Sequence, residues 1–550
     1  MLAIVVLLVF GRSLHFPFSS WDDQRFIAQN TLLAEASLTH AIDCLRTNSV
    51  AGERLYIPVT YLSFLAERAL FDLQPGASHA INVLLHVLNV LLLFCGLRML
   101  KLARGAFIGA LLFAIHPLQV EAVTWAMGRK DLLSTAFALI ALLLYHRHCR
   151  QPDRRLRMLV FANFAAAILA KPAMITFPAL LLLLDWHAHG RLRPRDFLRK
   201  LPEATVCLLV LYVHLTLPAS AESAGPPLLD RIVAVPGVLS GWTLRFFLLE
   251  PVNPFYTWRD SGALRPLLTG SILIFLLLTL ITASLRSSQR WFAGGLSFLI
   301  IAGAPALAVV VQYRIFITGD RYGYFPLIGI YFLVAKFAHS GAAPQKVALA
   351  FAVISGAFAV PAVQVWRSDI NLWQAALIRD DSNVNAHNNL AIAYVSDGQS
   401  DGGLSQFHAG LKLAPDNIGL LSNLGRLLLD RGEPQAAVPV LQAVLRRQPN
   451  SFRTLKSLAE AFENLGRLDL AEGALRQAIV ACPAYVDAHI TLGRVLLKAE
   501  KPQDALAQLK HAATLAPKHP AVWGLLVSVY DSLGDPAAAE EARQRAHSLR

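Results

Sequence analysis

Upstream of Trp366 the chain alternates long apolar runs with short polar, largely basic stretches. Downstream of it Asp, Glu, Gln, Asn, Lys and Arg punctuate short amphipathic stretches. A helix crossing a bilayer needs roughly 17 to 25 mainly apolar residues. On that measure the pattern predicts spans at about 78–100, 105–118, 132–146, 156–170, 172–186, 204–218, 266–285, 291–311, 323–335 and 347–365. With the first apolar segment, 2–18, this makes about eleven spans. That segment opens with neither a positive n-region nor a small-residue cleavage site, so it reads as a shortened spanning helix that a few further residues would precede. The stretch 232–250 is apolar enough to span but is interrupted by Pro236, Gly237, Gly241 and Arg245, and reads as interfacial or re-entrant.

Past Trp366 the pattern has a period of 34. Pro415, Pro449, Pro483 and Pro517 keep it, as do Leu390, Leu424, Leu458, Leu492 and Leu526. Small residues stand beside four of those leucines, at Ala391, Gly425, Ala459 and Gly493, and Val527 breaks that series. Gly403, Ala437, Ala471, Ala505 and Ala539 form a second small position, and Gly398, Gly432, Gly466 and Gly534 mark turns. This is the tetratricopeptide pattern of paired helices. The fold class is therefore all-α: a polytopic helical membrane domain over 1–365 with a first outer loop at about 19–77, a connector at 366–383, and about five repeats over 384–550 as an α-solenoid.

Composition agrees with that division. Of 550 residues 55% are hydrophobic and 16% charged, and the mean hydropathy is +0.47, too apolar for an ordinary soluble protein. The net charge of +13 does not indicate nucleic acid, because the basic residues cluster in short loops between apolar runs. Placing the N-terminus in the cytoplasm puts Arg98, Lys101 and Arg104, the arginines between 147 and 157, those between 191 and 199 with Lys200, then Arg286, Arg290, Lys336 and Lys346 on the inner side. The five cysteines are scattered without CxxC spacing, which suggests neither a metal site nor a disulfide framework.

The same topology gathers the unusual polar motifs on the outer side. They are Trp21-Asp22-Asp23, His116 to Trp125 with Glu121, Gly128-Arg129-Lys130-Asp131, Lys171-Pro172, Pro251 to Tyr256, and Asp320-Arg321-Tyr322 with Tyr324. Cations that hold a phosphate, aromatics that stack on sugar and a carboxylate that activates a hydroxyl suit an anionic lipid-linked substrate. Two adjacent carboxylates at a membrane exit can supply a general base or hold a cation. Plainer readings stand beside these. Asp22 and Asp23 could be solvated helix-end charges, Arg129 and Lys130 interfacial anchors, and Asp131 a helix cap. Lys171 and Asp185 could snorkel from helix ends. His79, His86 and Asn89 share one helix at near-helical spacing and read as interhelical hydrogen bonders.

Taken in order, Trp21-Asp22-Asp23, the segment from Tyr56 to Phe64, Ala114-Ile115-His116-Pro117 through Asp131-Leu132-Leu133-Ser134, Lys171-Pro172, and Asp320-Arg321-Tyr322 with Tyr324 and Pro326 resemble the transmembrane and TPR repeat-containing family. These are O-mannosyltransferase-like members of the glycosyltransferase C superfamily, and the resemblance covers nearly the whole chain. It implies that Asp22 or Asp23 is the catalytic base, with inversion at the anomeric carbon of a polyprenyl-phosphate sugar. Arg129, Lys130, Lys171, Arg321, His116, Glu121 and Tyr322 are then candidates for donor and substrate binding. Metal dependence stays open, and any divalent cation would sit at Asp22 and Asp23.

The expected activity is transfer of mannose or another hexose from the lipid donor to a protein hydroxyl, with the repeats presenting acceptor or partner. Oligosaccharyltransferase or O-antigen-ligase-type glycan transfer, and a non-enzymatic membrane-anchored scaffold, are the alternatives. Compact loops favour a bacterial inner membrane with periplasmic repeats, or the endoplasmic reticulum membrane with luminal repeats in a eukaryote.

Overall fold

The structure, a computed structural model, describes residues 1–46, 49–50, 53–54, 56–216, 239, 241–249, 280–281, 290–305 and 319–549. The motif from Pro251 to Tyr256, residues 232–238, 240 and 250 of the stretch 232–250, the end of the span expected at 291–311 and, apart from 280–281, the span expected at 266–285 lie outside the described residues. The chain divides into two compact units, Met1–Arg379 and Asp380–Arg550.

Among the described residues of the first unit three helices are long and apolar enough to cross a membrane: Pro75–Met99, Ala126–Arg150 and Ala342–Val365. Shorter apolar helices run over Leu2–His15, Leu201–His214, Arg290–Gly303 and Ile328–His339. The run read from sequence as one span at 105–118 is instead bent by 56° between Ala103–Ile115 and Pro117–Thr124. The cause is Pro117, which drives the residue before it out of the helical region. His116 accordingly sits at φ −72°, ψ 137°. Pro172 does the same to Lys171 (φ −153°, ψ 118°), ending the helix Arg154–Ala170 and starting the 3-10 turn Pro172–Thr176.

Close helix approach holds this unit together, as expected where apolar solvent gives helices little reason to associate. A Cβ on Gly105 would lie 1.7 Å from the Ala335 carbonyl oxygen, and one on Gly329 would lie 2.3 Å from that of Gly295. Buried polar side chains on Pro75–Met99 add hydrogen bonds between elements. Asn82 donates to the Trp125 carbonyl at 2.9 Å and Asn89 to that of Leu132 at 3.0 Å. His86 Nε2 donates to the Ala114 carbonyl at 3.1 Å, which leaves Nδ1 to accept from the Tyr324 hydroxyl at 2.7 Å. His79 is buried beside them, edge-on to the Phe16 ring with centroids 6.4 Å apart. Residues 366–383, read from sequence as a connector, hold the helix Asp369–Arg379, whose Trp373 is buried.

The second unit is five helix pairs: Val384–Ser396 with Ser400–Leu413, Ile418–Asp430 with Pro434–Arg447, Phe452–Asn464 with Leu468–Ala481, Val486–Lys498 with Pro502–Leu515, and Pro520–Leu533 with Pro536–Ser548. The small positions lie where helices cross: a Cβ on Gly493 would be 2.6 Å from Leu509 Cγ, and one on Gly425 would be 2.5 Å from Leu441. Gly398, Gly432, Gly466 and Gly534 have φ between 72° and 79°. The fourth turn has no glycine; Glu500 takes the left-handed conformation there, at φ 57°. A side chain in that region costs about 1 kcal/mol or more. Glu500→Gly should therefore stabilise the fourth pair by about 1 kcal/mol, seen as slower amide hydrogen exchange across Val486–Lys498 and Pro502–Leu515.

Candidate active site at the acidic loop

The first loop leaves the short N-terminal helix at Phe16 and folds back on itself through Asp23. Asp23 Oδ2 accepts the Ser19 N–H and Oδ1 the Met127 N–H, both at 3.1 Å. One buried carboxylate thus closes the loop and ties it to the turn preceding the helix Arg129–Arg150. Burial pushes the Asp23 carboxyl up to about 7 against those two hydrogen bonds, with Asp22 and Asp369 adding repulsion.

Asp22 is different. Its carboxylate is half-buried and makes no hydrogen bond or ion pair among the described residues. Burial raises its pKa above the usual carboxylate range, while Lys130, Arg321 and Arg25 pull it down.

The aromatic and cationic neighbours form one cluster. Trp21 stacks on Trp125 with centroids 5.4 Å apart and planes 17° from parallel, and meets Trp373 edge-on at 5.7 Å. The Arg321 guanidinium lies 4.7 Å from the Trp125 ring and 5.6 Å from Trp21, and the Lys130 ammonium 4.7 Å from Trp125. Arg321 is fixed by an ion pair with the fully buried Glu121, which also accepts the Arg321 backbone N–H at 3.0 Å. Lys171 pairs with Asp131 and lies 4.9 Å from the Tyr322 ring. Arg321, Lys171, Asp131 and Tyr322 line one small pocket with Ser134 and Phe325.

Two of the residues singled out from sequence lie in closed surroundings. Arg129 is fully buried: its guanidinium reaches Glu67 at 2.5 Å, Asn82 at 3.1 Å and the Ser78 carbonyl at 3.0 Å, against the Phe64 ring at 4.0 Å. His116 accepts the Leu118 N–H through Nδ1 at 3.2 Å, so Nε2 carries the proton it donates to the Phe246 carbonyl at 3.0 Å. Its role here is to brace the bend at Pro117.

Asp369 is a neighbour that the sequence reading missed. It accepts from Ser19 Oγ and Ser20 N, each at 2.9 Å, and so holds the loop from the far end of the unit. The faint signal was an acidic residue four before a tryptophan just past the last apolar run; no motif carries it.

Residues 69–216 match the dolichyl-phosphate-mannose-protein mannosyltransferase family. Residues 422–486 and 496–546 match tetratricopeptide repeats. The chain is 26% identical over 551 residues to protein O-mannosyl-transferase TMTC3 of Mus musculus, covering 88% of this chain. It is 24% identical over 514 residues to TMTC1 of Homo sapiens, covering 79% of this chain and 57% of that protein. The chain is a homologue of the TMTC protein O-mannosyl-transferases.

It spans 59% of the mouse TMTC3 protein and 60% of the human one. Against TMTC2 of Homo sapiens the identity rises to 37% over 137 residues, which are 24% of this chain and 16% of that protein. A thermophilic TPR protein in Thermus thermophilus is 24% identical, covering 30% of this chain and 91% of that one, with a TM-score of 0.27. The mannosyltransferase match takes in Glu121, Lys130 and Lys171, whereas Asp22, Asp23 and Arg321 lie beyond its ends.

Proposed function

We propose that the chain is an integral membrane glycosyltransferase that moves a sugar, mannose or another hexose, from a polyprenyl-phosphate donor to a protein hydroxyl. The observation that carries this reading is the Asp22 carboxylate, which has no hydrogen-bond or ion-pair partner among the described residues, beside Lys130, Arg321 and the Trp21–Trp125 stack. Asp22 takes the proton of the acceptor hydroxyl as its oxygen bonds to the anomeric carbon. The bond from that carbon to the phosphate oxygen breaks, and its electron pair leaves on the polyprenyl phosphate, inverting the centre. Lys130 and Arg321 offset the charge that develops on the phosphate, and the indole faces offer the sugar a stacking surface.

Asp23, Glu121 and Asp369 position these groups through the bonds described above. Among the described residues no group of three or more His, Cys, Asp or Glu side chains is disposed to hold a metal ion. Asp22 is the carboxylate available to a divalent cation, but Lys130 and Arg321 beside it repel a further positive charge, so the chain's own cations carry the phosphate. The cellular setting proposed is a bacterial inner membrane with periplasmic repeats, or the endoplasmic reticulum membrane with luminal ones.

The test is transfer in purified membranes containing the full chain, supplied with a panel of labelled polyprenyl-phosphate sugars. Label appearing on a serine or threonine hydroxyl supports the reading and names the sugar. No transfer from any donor, with partner binding by the repeats intact, favours a membrane-anchored scaffold.

A further inference from the structure

The far end of the helix Arg129–Arg150 borders a second charged cavity, of about 760 Å³, which the proposed reaction does not use. It opens between that end and the helices Arg154–Ala170, Phe177–His189 and Leu201–Thr216. Nineteen residues separate Lys130 from Cys149, which lines the cavity. At 1.5 Å per residue the two places are about 28 Å apart along the helix, close to the thickness of a bilayer's hydrocarbon core.

Asp185, in the cavity lining, and Glu203, beside it, are already neutralised, while the exposed Asp153 carboxylate caps the helix Arg154–Ala170 by accepting the Arg155 N–H at 2.9 Å. Asp185 accepts from Lys200 at 2.7 Å and from the Tyr145 hydroxyl at 2.7 Å, and Lys200 also reaches that hydroxyl. Glu203 is held by both terminal nitrogens of Arg157, one of them at 2.8 Å, and Arg157 ties this rim to the Arg199 carbonyl at 2.9 Å. Arg154 and Arg199 complete the rim. Both are exposed, and neither guanidinium has a carboxylate partner among the described residues.

We propose that this cavity binds the headgroup of an anionic phospholipid in the leaflet opposite the acidic loop. Loop arginines that only set orientation would be solvated singly; here they converge on one concavity between helices, the form that lipid headgroup sites take. The apolar surroundings select a lipid over free phosphate. Met158 on the cavity wall is 64% exposed, and Leu198 and Leu201, flanking Arg199 and Lys200, are 64% and 56% exposed. Acyl chains would cover surface of this kind at the level where the phosphate meets the arginines. The inference rests on the membrane embedding of the first unit and not on the transferase reading.

The experiment is native mass spectrometry of the purified full chain in mixed micelles of detergent with dioleoylphosphatidylglycerol or dioleoylphosphatidylcholine. Wild type should retain phosphatidylglycerol over phosphatidylcholine by on the order of tenfold or more. The Arg154→Gln/Arg199→Gln variant should lose that preference, while Arg191→Gln/Arg195→Gln, a loop control outside the cavity lining, keeps it. Equal retention of both lipids by wild type would overturn the proposal. So would a preference that survives in the cavity variant, or phosphatidylglycerol displaced by an equal concentration of inorganic phosphate. Elution of each variant at the wild-type volume on size exclusion establishes that its fold is intact.

Discussion

Asp22→Asn is expected to lower sugar transfer by about 10²- to 10⁴-fold, the usual contribution of a positioned general base. The melting temperature should stay at or slightly above the wild-type value. An amide at 22 cannot take the acceptor proton, yet it replaces a half-buried carboxylate that makes no hydrogen bond among the described residues, so the fold loses nothing. Asp23→Asn should behave differently. Both Asp23 oxygens accept backbone N–H groups, and an amide must turn its NH2 toward either Ser19 N or Met127 N. A donor facing a donor in a buried place costs about 1–3 kcal/mol. Transfer and stability should then fall together. The check is transfer in membranes at matched expression, with thermal unfolding of each purified variant. Full transfer by Asp22→Asn, or loss in Asp23→Asn at unchanged stability, would move the base to Asp23.

Glu67→Gln is expected to be the most destabilising single change in the first unit, by about 3–5 kcal/mol, because it strands a fully buried guanidinium without its counter-charge. Arg129 has no exposed surface, and its charge is balanced by Glu67 at 2.5 Å. Glu67 also accepts from Ser78 Oγ, so three elements loosen together. The double variant Glu67→Gln/Arg129→Gln should recover a good part of the loss, since it removes both charges. Thermal unfolding of the four proteins in one detergent gives the coupling directly. Additive losses would show that Glu67 and Arg129 do not act as a pair. Arg129→Gln alone should lower the yield of folded protein, whereas Lys130→Gln should lower the rate at normal yield.

That contrast shows where sequence stops being informative. Arg129 and Lys130 are neighbours in the chain and read as two alike cations. On a helix they point about 100° apart, one into the Glu67 network and the other over Trp125. The acidic pair was legible because its motif is local; the division of labour between Asp22 and Asp23 depends on Met127, more than a hundred residues later. Asp369, still farther away, left almost no trace. By contrast a repeat writes its contacts at a fixed spacing, so the 34-residue period disclosed the five helix pairs, and the one turn without glycine emerged as Glu500 at positive φ. The run through 118 looked continuous by hydropathy, yet Pro117 bends it by 56° and thereby brings Glu121 to Arg321.

The helix Asp369–Arg379 also governs how this chain can be cut and rejoined. Hydropathy suggests a seam at Trp366, where the last apolar run ends. A hybrid joined there would carry Asp369 and Trp373 away with the repeats, and Ser19, Ser20 and Trp21 would lose the partners that anchor them. Joined after Arg379, where the first compact unit ends, the same exchange of repeats leaves that anchorage whole. The functional seam therefore lies about one short helix beyond the visible one, and a foreign repeat array grafted at 379/380 would leave the anchorage of the acidic loop in place.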